Sequence, residues 1–158
     1  MGSDDGVRSV AGGVADSPAK AVVRRFDEEV FDRQRLQAID ELYAADCVRH
    51  AFAGPPRDNA WHKRQVAELR AGFPDGRVSL DALIGEGDLV AARWAFRGTH
   101  TAPFRGIAPT GKEGRLQGIT LFRVADGRIV ETWNSLASPP LADQLGRTGG
   151  DGPADQTR

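Results

Sequence analysis

The chain has 158 residues, the length of one domain, and carries 21 lysines and arginines against 22 acidic residues. The resulting net charge of −1 argues against a dedicated nucleic-acid-binding protein, because such proteins carry a basic excess. No apolar run is long enough to cross a bilayer, and residues 1–10 lack the pattern of a secretion signal. The single cysteine, Cys47, excludes an internal disulfide and a cysteine-rich zinc site. The composition therefore predicts a soluble, cytoplasmic protein.

Both ends of the chain are predicted to be disordered tails. Residues 1–16 and 147–158 are rich in glycine and aspartate and show no hydrophobic periodicity. One ordered domain therefore remains, and its predicted bounds are residues 17–146.

Three helices are predicted in the first half of this domain. Ser17 is a favourable N-cap and Pro18 a favourable first helical residue. The apolar face of this first helix is formed by Ala19, Val22, Val23, Phe26 and Val30. A short second helix fits residues 36–43, and a third fits 58–71 with Asp58 as its N-cap. A short strand at 46–50 precedes the third helix.

From residue 77 onward the hydrophobic period changes from helical to alternating, which indicates strands. The predicted strands cover residues 77–84, 89–101, 116–124 and 128–136, and a short helix follows at 141–145. In the first of these strands, one face is expected to carry Val78, Leu80, Ala82 and Ile84. Tight turns join most of the strands. The order predicts an α+β fold in which a strongly curved, mainly antiparallel sheet wraps over about three helices as a cone with an internal pocket.

Short motifs along these elements occur in an order that is typical of one family. They are Leu42-Tyr43 with Asp46 and Val48-x-His50; Leu69-Arg70-Ala71-Gly72-Phe73-Pro74-Asp75; Arg93-Trp94-x-Phe96-x-Gly98-Thr99-His100-Thr101; Phe104-x-Gly106-Ile107-x-Pro109-Thr110-Gly111; Gly118-Ile119-Thr120-x-Phe122-Arg123; Asp126-Gly127-Arg128-Ile129-Val130-Glu131-x-Trp133; and Gln144-Leu145-Gly146. Over about residues 18–146 the chain resembles the SnoaL-like polyketide cyclase family, within the nuclear-transport-factor-like α+β cone fold. The motifs indicate the family more closely than the reaction, because this fold hosts many activities.

The resemblance implies a homodimeric enzyme without metal or organic cofactor that acts on polyketide-derived or other hydrophobic secondary metabolites. Its members close rings by intramolecular aldol condensation, and relatives open epoxides, close oxygen heterocycles, isomerise or hydroxylate. In the aldol cyclases an aspartate shortly after the final-strand tryptophan serves as the acid/base. Here Ala137 stands four residues past Trp133, where many relatives carry Asp, and Asn134 cannot titrate. Ring closure onto an epoxide or enone, and isomerisation, are therefore predicted as alternatives to aldol closure.

His100 is the first candidate for acid–base chemistry. Alternation places Trp94, Phe96 and His100 on one face of their strand, opposite Arg93 and Arg97. The face with the aromatic residues is expected to be concave, because arginines inside an apolar cone would be costly. Burial keeps a histidine neutral and able to relay a proton near pH 7. The alternative is a structural histidine that holds the following loop.

The partner of His100 is predicted to be His50 or Glu131, and a pair of His50 with Glu131 is a further possibility. His50 ends the first strand, and Glu131 shares a face of the last strand with Trp133. A carboxylate in an apolar cone has a raised pKa, as catalytic carboxylates often do. The alternatives are a histidine at the rim and a salt bridge from Glu131 to Arg93 or Arg128.

Eight residues are predicted to contact substrate. The hydroxyl of Tyr43 is a candidate donor to a substrate oxygen, and Trp61 is expected to face inward while its neighbour His62 faces solvent. The remaining candidates are Trp94, Phe96, Phe104, Thr120, Trp133 and Asn134. The alternative for the aromatic members is plain core packing.

The resulting prediction is a cofactor-free cyclase or isomerase, in the lyase or isomerase class. The alternatives are a non-catalytic protein that binds a small molecule and a hydroxylase partner in a biosynthetic pathway. A catalytic site requires a titratable pair that converges on the cavity, whereas in a binding protein those groups make structural contacts only. No metal site is predicted, because His50, His62 and His100 lack local ligand spacing. Neither nucleic acid nor membrane is an expected partner.

The homodimer is expected to form through the outer face of the sheet. That face carries an apolar set with two arginines, namely Leu89, Ala91 and Ala95 beside Arg93 and Arg97. Such a mixed surface suits a contact between two identical copies.

Overall fold

A computed structural model describes residues 16–51 and 54–146 of the chain. Its elements are α1 (Pro18–Asp27), a π-helical turn (Glu28–Asp32), α2 (Ala38–Leu42), β1 (Tyr43–His50), α3 (Asn59–Gly72), β2 (Arg77–Glu86), β3 (Leu89–Thr99), β4 (Glu113–Ala125), β5 (Arg128–Leu136) and α4 (Leu141–Gln144). Within the described ranges, no helix is both long and apolar enough to span a membrane.

The predicted tails lie almost wholly outside the described residues, at 1–15 and 147–158. Asp16 was also expected in the first tail, but it accepts a hydrogen bond from Arg24 Nε at 2.7 Å. This residue therefore packs against α1, because two basic side chains of the helix, those of Lys20 and Arg24, lie within ion-pair distance.

The helix starts that capping chemistry predicts are confirmed. The Ser17 hydroxyl accepts a hydrogen bond from Lys20 N at 3.3 Å, and Asp58 Oδ1 accepts one from Trp61 N at 2.7 Å. The predicted second helix is too long, because Tyr43 has an extended backbone conformation and is the first residue of β1.

The sheet has five strands in the order β1-β5-β4-β3-β2, and all neighbours are antiparallel except β1 and β5. This arrangement confirms the predicted α+β class. The parallel pair joins the first strand of the chain to the last, so both sequence halves contribute to that side of the sheet.

Irregular register in three of the four strand pairs changes which residues face inward. In β2 the register shifts between Leu80 and Ala82, so Ile84 turns outward and is 70% exposed, while Leu83 packs against the core. The prediction that Ile84 shares the inner face with Leu80 is wrong, because one extra residue in a strand reverses the alternation after it.

The core consists of two clusters. The larger one lies between the inner face of the sheet, α1, α2 and α3, and its largest members are Phe26, Tyr43 and Phe122. The smaller one is aromatic and sits under the loop before β4; its members are Phe73, Phe96, Phe104, Leu141 and Leu145. A crevice of about 250 Å³ between them is bordered by Val66 of the first cluster and Phe73 of the second.

Candidate functional site

The inner wall near β1 and β5 contains buried polar atoms for which the described residues offer no hydrogen-bond partner. These atoms are Tyr43 Oη, Arg49 Nε and Nη2, His62 Nδ1 and Thr132 Oγ1. Such groups are costly in a core, since they lose water without gaining a partner. Their concentration on one wall is typical of a site that a polar ligand completes, and we call these four residues the inner polar cluster.

Direct contacts hold this cluster together. The Arg49 guanidinium carbon lies 4.7 Å from the centre of the Tyr43 ring, and the Tyr43 and His62 rings are 5.7 Å apart. Arg49 and Thr132 are register partners on β1 and β5. Tyr43 and Arg49 are 1% and 4% exposed, respectively, and Thr132 is fully buried. The cluster therefore places a buried phenol, guanidinium and hydroxyl beside the imidazole of His62, a residue that is partly exposed although its Nδ1 is buried.

Burial sets the protonation of these groups. It raises the pKa of the Tyr43 phenol, against the opposing charge of Arg49, so the hydroxyl keeps its proton and can donate it in a hydrogen bond. Burial, and then the charge of Arg49, lower the pKa of His62 well below its ordinary value. The imidazole is therefore neutral at pH 7 with a free lone pair, and the same lowering of its pKa makes it a weaker base than a solvated imidazole.

A chain of hydrogen bonds lies one row further along the same inner face. Trp94 Nε1 donates to Thr120 Oγ1 at 3.0 Å, Thr120 Oγ1 donates to Asn134 Oδ1 at 2.9 Å, and Asn134 Nδ2 donates to the His50 carbonyl at 3.0 Å. This chain brings together three predicted substrate-binding residues and fixes the amide of Asn134. The amide keeps a second N–H that can serve a ligand.

The predicted orientations of Trp61 and His62 are wrong. The His62 ring packs against Phe26 at 5.8 Å and against Tyr43, whereas Trp61 lines an outer groove under the guanidinium of Arg57. Helical spacing explains the difference, because Val66 lies four residues after His62 and so shares its face. The positions three and four after Trp61 are polar, which was the sequence signal for the observed orientation.

His50, Glu131 and Trp133 form a group on the outer face of the sheet. His50 Nε2 lies 2.9 Å from Glu131 Oε1, the His50 ring stacks on Trp133 at 5.4 Å, and Arg123 Nε lies 3.7 Å from Glu131 Oε2. The predicted pairing of His50 with Glu131 is thus present, but the prediction that Glu131 and Trp133 face the interior is wrong. A register shift opposite Val124 turns them outward.

His100 is fully buried in the smaller, aromatic cluster. Its Nδ1 accepts a hydrogen bond from Thr110 N at 3.2 Å and lies 3.0 Å from Thr110 Oγ1. The alternation that placed His100 with Trp94 and Phe96 on the inner face is confirmed by burial. His50 and Glu131 lie on the opposite face, so they cannot be its partners. The contacts of Nδ1 with Thr110 favour the structural alternative, whereas Nε2 is buried without a hydrogen-bond partner among the described residues, which is compatible with the predicted acid–base role.

Two other predicted ligand contacts, Phe96 and Phe104, pack with Phe73 in the same cluster at 5.6 and 5.3 Å. In the part of the chain that the structure describes, no three His, Cys, Asp or Glu side chains are grouped so that they could hold a metal ion. Burial raises the pKa of the Cys47 thiol to about 11, so this cysteine is not a thiolate nucleophile at neutral pH.

Acid should destabilise the protein through His62. Because its pKa is lowered in the folded state, the unfolded chain binds more protons than the folded one. The contribution of His62 to stability is therefore fully present above about pH 6.5 and is lost as the pH decreases below that value. The loss reaches at most about 1.4 kcal/mol per pH unit. We expect His62→Phe to remove this slope in melting curves recorded from pH 7.5 to 5. Equal slopes in the two proteins would contradict the buried, neutral imidazole.

Asp27 acts with the opposite sign and serves as an internal control. Burial raises its pKa to about 6, so its folded form binds more protons than the unfolded chain, and stability falls as pH rises toward that value. Asp27 is present in both proteins, so its contribution largely cancels in the difference between the two curves.

Comparison with known proteins agrees with this architecture. The sequence model of the SnoaL-like polyketide cyclase family matches residues 21–145. The structure of IdmH, a proposed polyketide cyclase from Streptomyces antibioticus, is 32% identical, with a TM-score of 0.68 over 82% of this chain and 99% of that one. A proposed polyketide cyclase from Acidithiobacillus ferrooxidans is 27% identical, with a TM-score of 0.66 over 82% and 95% of the two chains.

The fold alone is shared with AclR, a proposed hydroxylase from Streptomyces galilaeus, at 24% identity and a TM-score of 0.73 over 85% of both chains. No curated protein sequence shows significant similarity to the chain. The match of the family over most of the chain, together with the five-stranded α+β architecture, leads to one conclusion. The chain belongs to the SnoaL-like polyketide cyclase family.

Proposed function

We propose that the protein is a cyclase or isomerase that uses the inner polar cluster for proton transfer next to a substrate carbonyl. The observation that carries this proposal is the neutral His62, whose Nδ1 is buried, beside the protonated hydroxyl of Tyr43. A base and a hydrogen-bond donor beside each other are the two groups that enolisation requires.

In the proposed reaction His62 removes a proton from the carbon next to a carbonyl. The electron pair of the broken C–H bond moves to the carbonyl oxygen, and the Tyr43 hydroxyl donates a hydrogen bond to that developing enolate. The enolate carbon then attacks a second carbonyl of the same molecule and forms the new C–C bond of the ring. The protonated His62 returns its proton to the second oxygen, so no atom is gained or lost.

The same groups also support isomerisation. If His62 returns the proton to a different carbon of the enolate system, the product is an isomer without a new ring. His62 thereby takes the role that an aspartate after the final-strand tryptophan serves in the aldol cyclases that the sequence resembles, where this chain has Ala137.

The crevice between the two core clusters suits the apolar body of the substrate. Val66, on its border, follows His62 by one helical turn, so the crevice begins close to the proposed base. Its other walls include Phe73 and Phe96. An extended hydrophobic chain could lie there while its reacting carbonyl reaches the inner polar cluster.

Exchange of the acidic C–H protons of a model 1,3-diketone, 2-acetylcyclohexanone, in heavy water tests the proposal. We expect the protein to accelerate this exchange, followed by proton NMR, well above the rate in buffer with heat-denatured protein. A rate equal to that control would contradict enolisation and favour the alternative of a protein that only binds its ligand.

We also propose that the outer face of the sheet mediates a homodimer. A mainly apolar row crosses all five strands there, with one residue on each, namely His50, Trp133, Leu121, Ala91 and Ile84. The neighbouring row contains Glu131 and Arg123, so a second copy related by a twofold axis can oppose unlike charges.

Light scattering tests this surface. The wild type should have about twice the monomer mass of 17.0 kDa at micromolar concentration, and Leu121→Arg should have the monomer mass, because a charge in the centre of the row opposes its own copy. Ala67→Arg, on the exposed side of α3, is the matched control and should remain dimeric. A wild type of monomer mass would contradict the proposal.

A further inference from the structure

Arg49 is an unusual residue for the interior of this fold. It is 4% exposed, its Nε and Nη2 are buried without a hydrogen-bond partner, and it takes part in no ion pair among the residues described. Contact with the face of the Tyr43 ring offsets only part of the cost of burying a guanidinium. A buried cation without a counter-charge among the described residues is typical of a site that binds an anion.

A second arginine stands next to it. Arg49 and Arg57 exchange both backbone hydrogen bonds, at 3.2 and 2.8 Å, as an antiparallel pair. Side chains of such opposite residues leave the same side of the pair, with Cβ atoms roughly 5.5 Å apart or less. Arg57 Nε is also buried, and no residue in the described part of the chain is its hydrogen-bond partner. The nearest acid in sequence, Asp58, is occupied as the N-cap of α3.

We propose that Arg49 and Arg57 form a subsite for a delocalised oxyanion, in which two oxygens share one negative charge, as in a carboxylate or an ionised 1,3-dicarbonyl. Guanidinium groups suit this chemistry, because their fork of N–H donors matches two oxygens at once. This inference rests on the proposed function and adds the substrate class to it. The substrate would be acidic, with its anionic end bound by the two arginines while its carbonyl reaches His62.

A surface groove of about 440 Å³ reaches Arg57, one member of this pair. It is lined by Cys47, Arg57 and Trp61 among others, and Cys47 lies on β1 two residues before Arg49. The acids on its wall, Asp46 and Asp58, are matched in number by Arg57 and Arg64, so the groove does not repel an anion as an acidic groove would.

Thermal melting with three small probes tests the subsite without any turnover. Benzoate has a carboxylate, dimedone is a cyclic 1,3-diketone that ionises, and benzamide is a neutral relative of benzoate. We expect benzoate, dimedone or both to raise the melting temperature of the wild type in a concentration-dependent way, while benzamide at the same concentration has little effect. Benzoate alone would identify a carboxylate, and dimedone alone would identify a 1,3-dicarbonyl. Equal responses to all three probes would overturn the proposal.

Arg49→Met supplies the second arm. It removes the charge at similar length, so without any ligand it should melt about 3 °C or more above the wild type, and its response to the anion should weaken at least tenfold. Arg25→Met, on the exposed side of α1, is the matched control and should change neither property. An Arg49→Met protein that melts lower and still responds to the anion would overturn the proposal.

Arg57→Gln keeps the test decisive if Arg49→Met does not fold. This variant should fold, because Arg57 is only partly buried, and should weaken the anion response while leaving that to benzamide unchanged. An unchanged anion response would overturn the role of Arg57. Because melting reports binding whether or not a probe exchanges protons, anion binding without diketone exchange would contradict only the proposed enolisation, and exchange without anion binding would contradict only the subsite.

Discussion

His62→Gln should lower the rate of diketone exchange and of turnover by about 10²–10⁴-fold, the usual effect of removing a positioned acid–base group. Glutamine keeps the size and polarity of the side chain but cannot accept a proton from carbon. The loss should appear in kcat rather than in KM, because the imidazole acts on the reacting C–H bond and contributes little to ground-state binding.

His100→Gln is the matched control for this experiment. It replaces a histidine that is more deeply buried, yet whose contacts are with Thr110 and the rings of Phe73 and Phe104. We expect it to melt lower than the wild type and to keep most of its activity at a temperature where it is folded. The opposite pattern, with activity lost only in His100→Gln, would contradict the role of His62 and restore the acid–base prediction for His100.

Phe73→Ala should destabilise the fold by about 3–5 kcal/mol, the usual cost of removing a buried aromatic ring. Phe73 is 1% exposed and contacts the rings of Phe96, Phe104 and His100. Its large neighbours Phe96 and Phe104 are themselves buried, so they can fill the cavity only by giving up their own contacts. Chemical denaturation at one fixed protein concentration measures the change.

Phe31→Ala is a suitable comparison, because Phe31 is only partly buried at the edge of the larger cluster. Its loss should cost clearly less than that of Phe73. Similar losses in the two variants would contradict the view that the smaller cluster is an independent and tightly packed unit. Both variants should keep the acid-dependent slope of the wild type, since neither changes the surroundings of the imidazole nitrogens of His62.

Local chemistry was sufficient to predict most of the elements. The caps at Ser17 and Asp58 and the bounds of β5 agree with the structure, because each depends on neighbouring residues alone. The alternation along β3 also holds to its end at Thr99, since this interior strand pairs in unbroken register with β4.

Which side chains of β2 and β5 point to the inner face of the sheet could not be predicted in the same way. Each contains a register shift that no glycine or proline marks, one after Leu80 and one beside Val130. Strict alternation from Ile129 therefore placed Glu131 and Trp133 inside, whereas the shift leaves Thr132 inside. A bulge is a property of the strand pair, so a single strand's sequence does not determine its position.

Only some residues of the inner polar cluster could be identified from the sequence. His62 was accessible, because it shares helical spacing with Val66 and Leu69 on α3. Arg49 was not, because an arginine in a short polar strand is typical of a surface. Its burial depends on the parallel pairing of β1 with β5, which joins residues from opposite ends of the domain.

That parallel pairing also sets when the site can form during folding. The Asn134 side chain holds the His50 carbonyl across 84 positions of sequence, and Arg49 meets Thr132 in the same ladder. Contacts between such distant residues require the closure of a long loop and form slowly. On a ribosome, the hairpins β2–β3 and β3–β4 can assemble while β1 still lacks its neighbour. The buried arginine therefore enters the interior only after nearly the whole domain has been synthesised, and until then its charge remains in water.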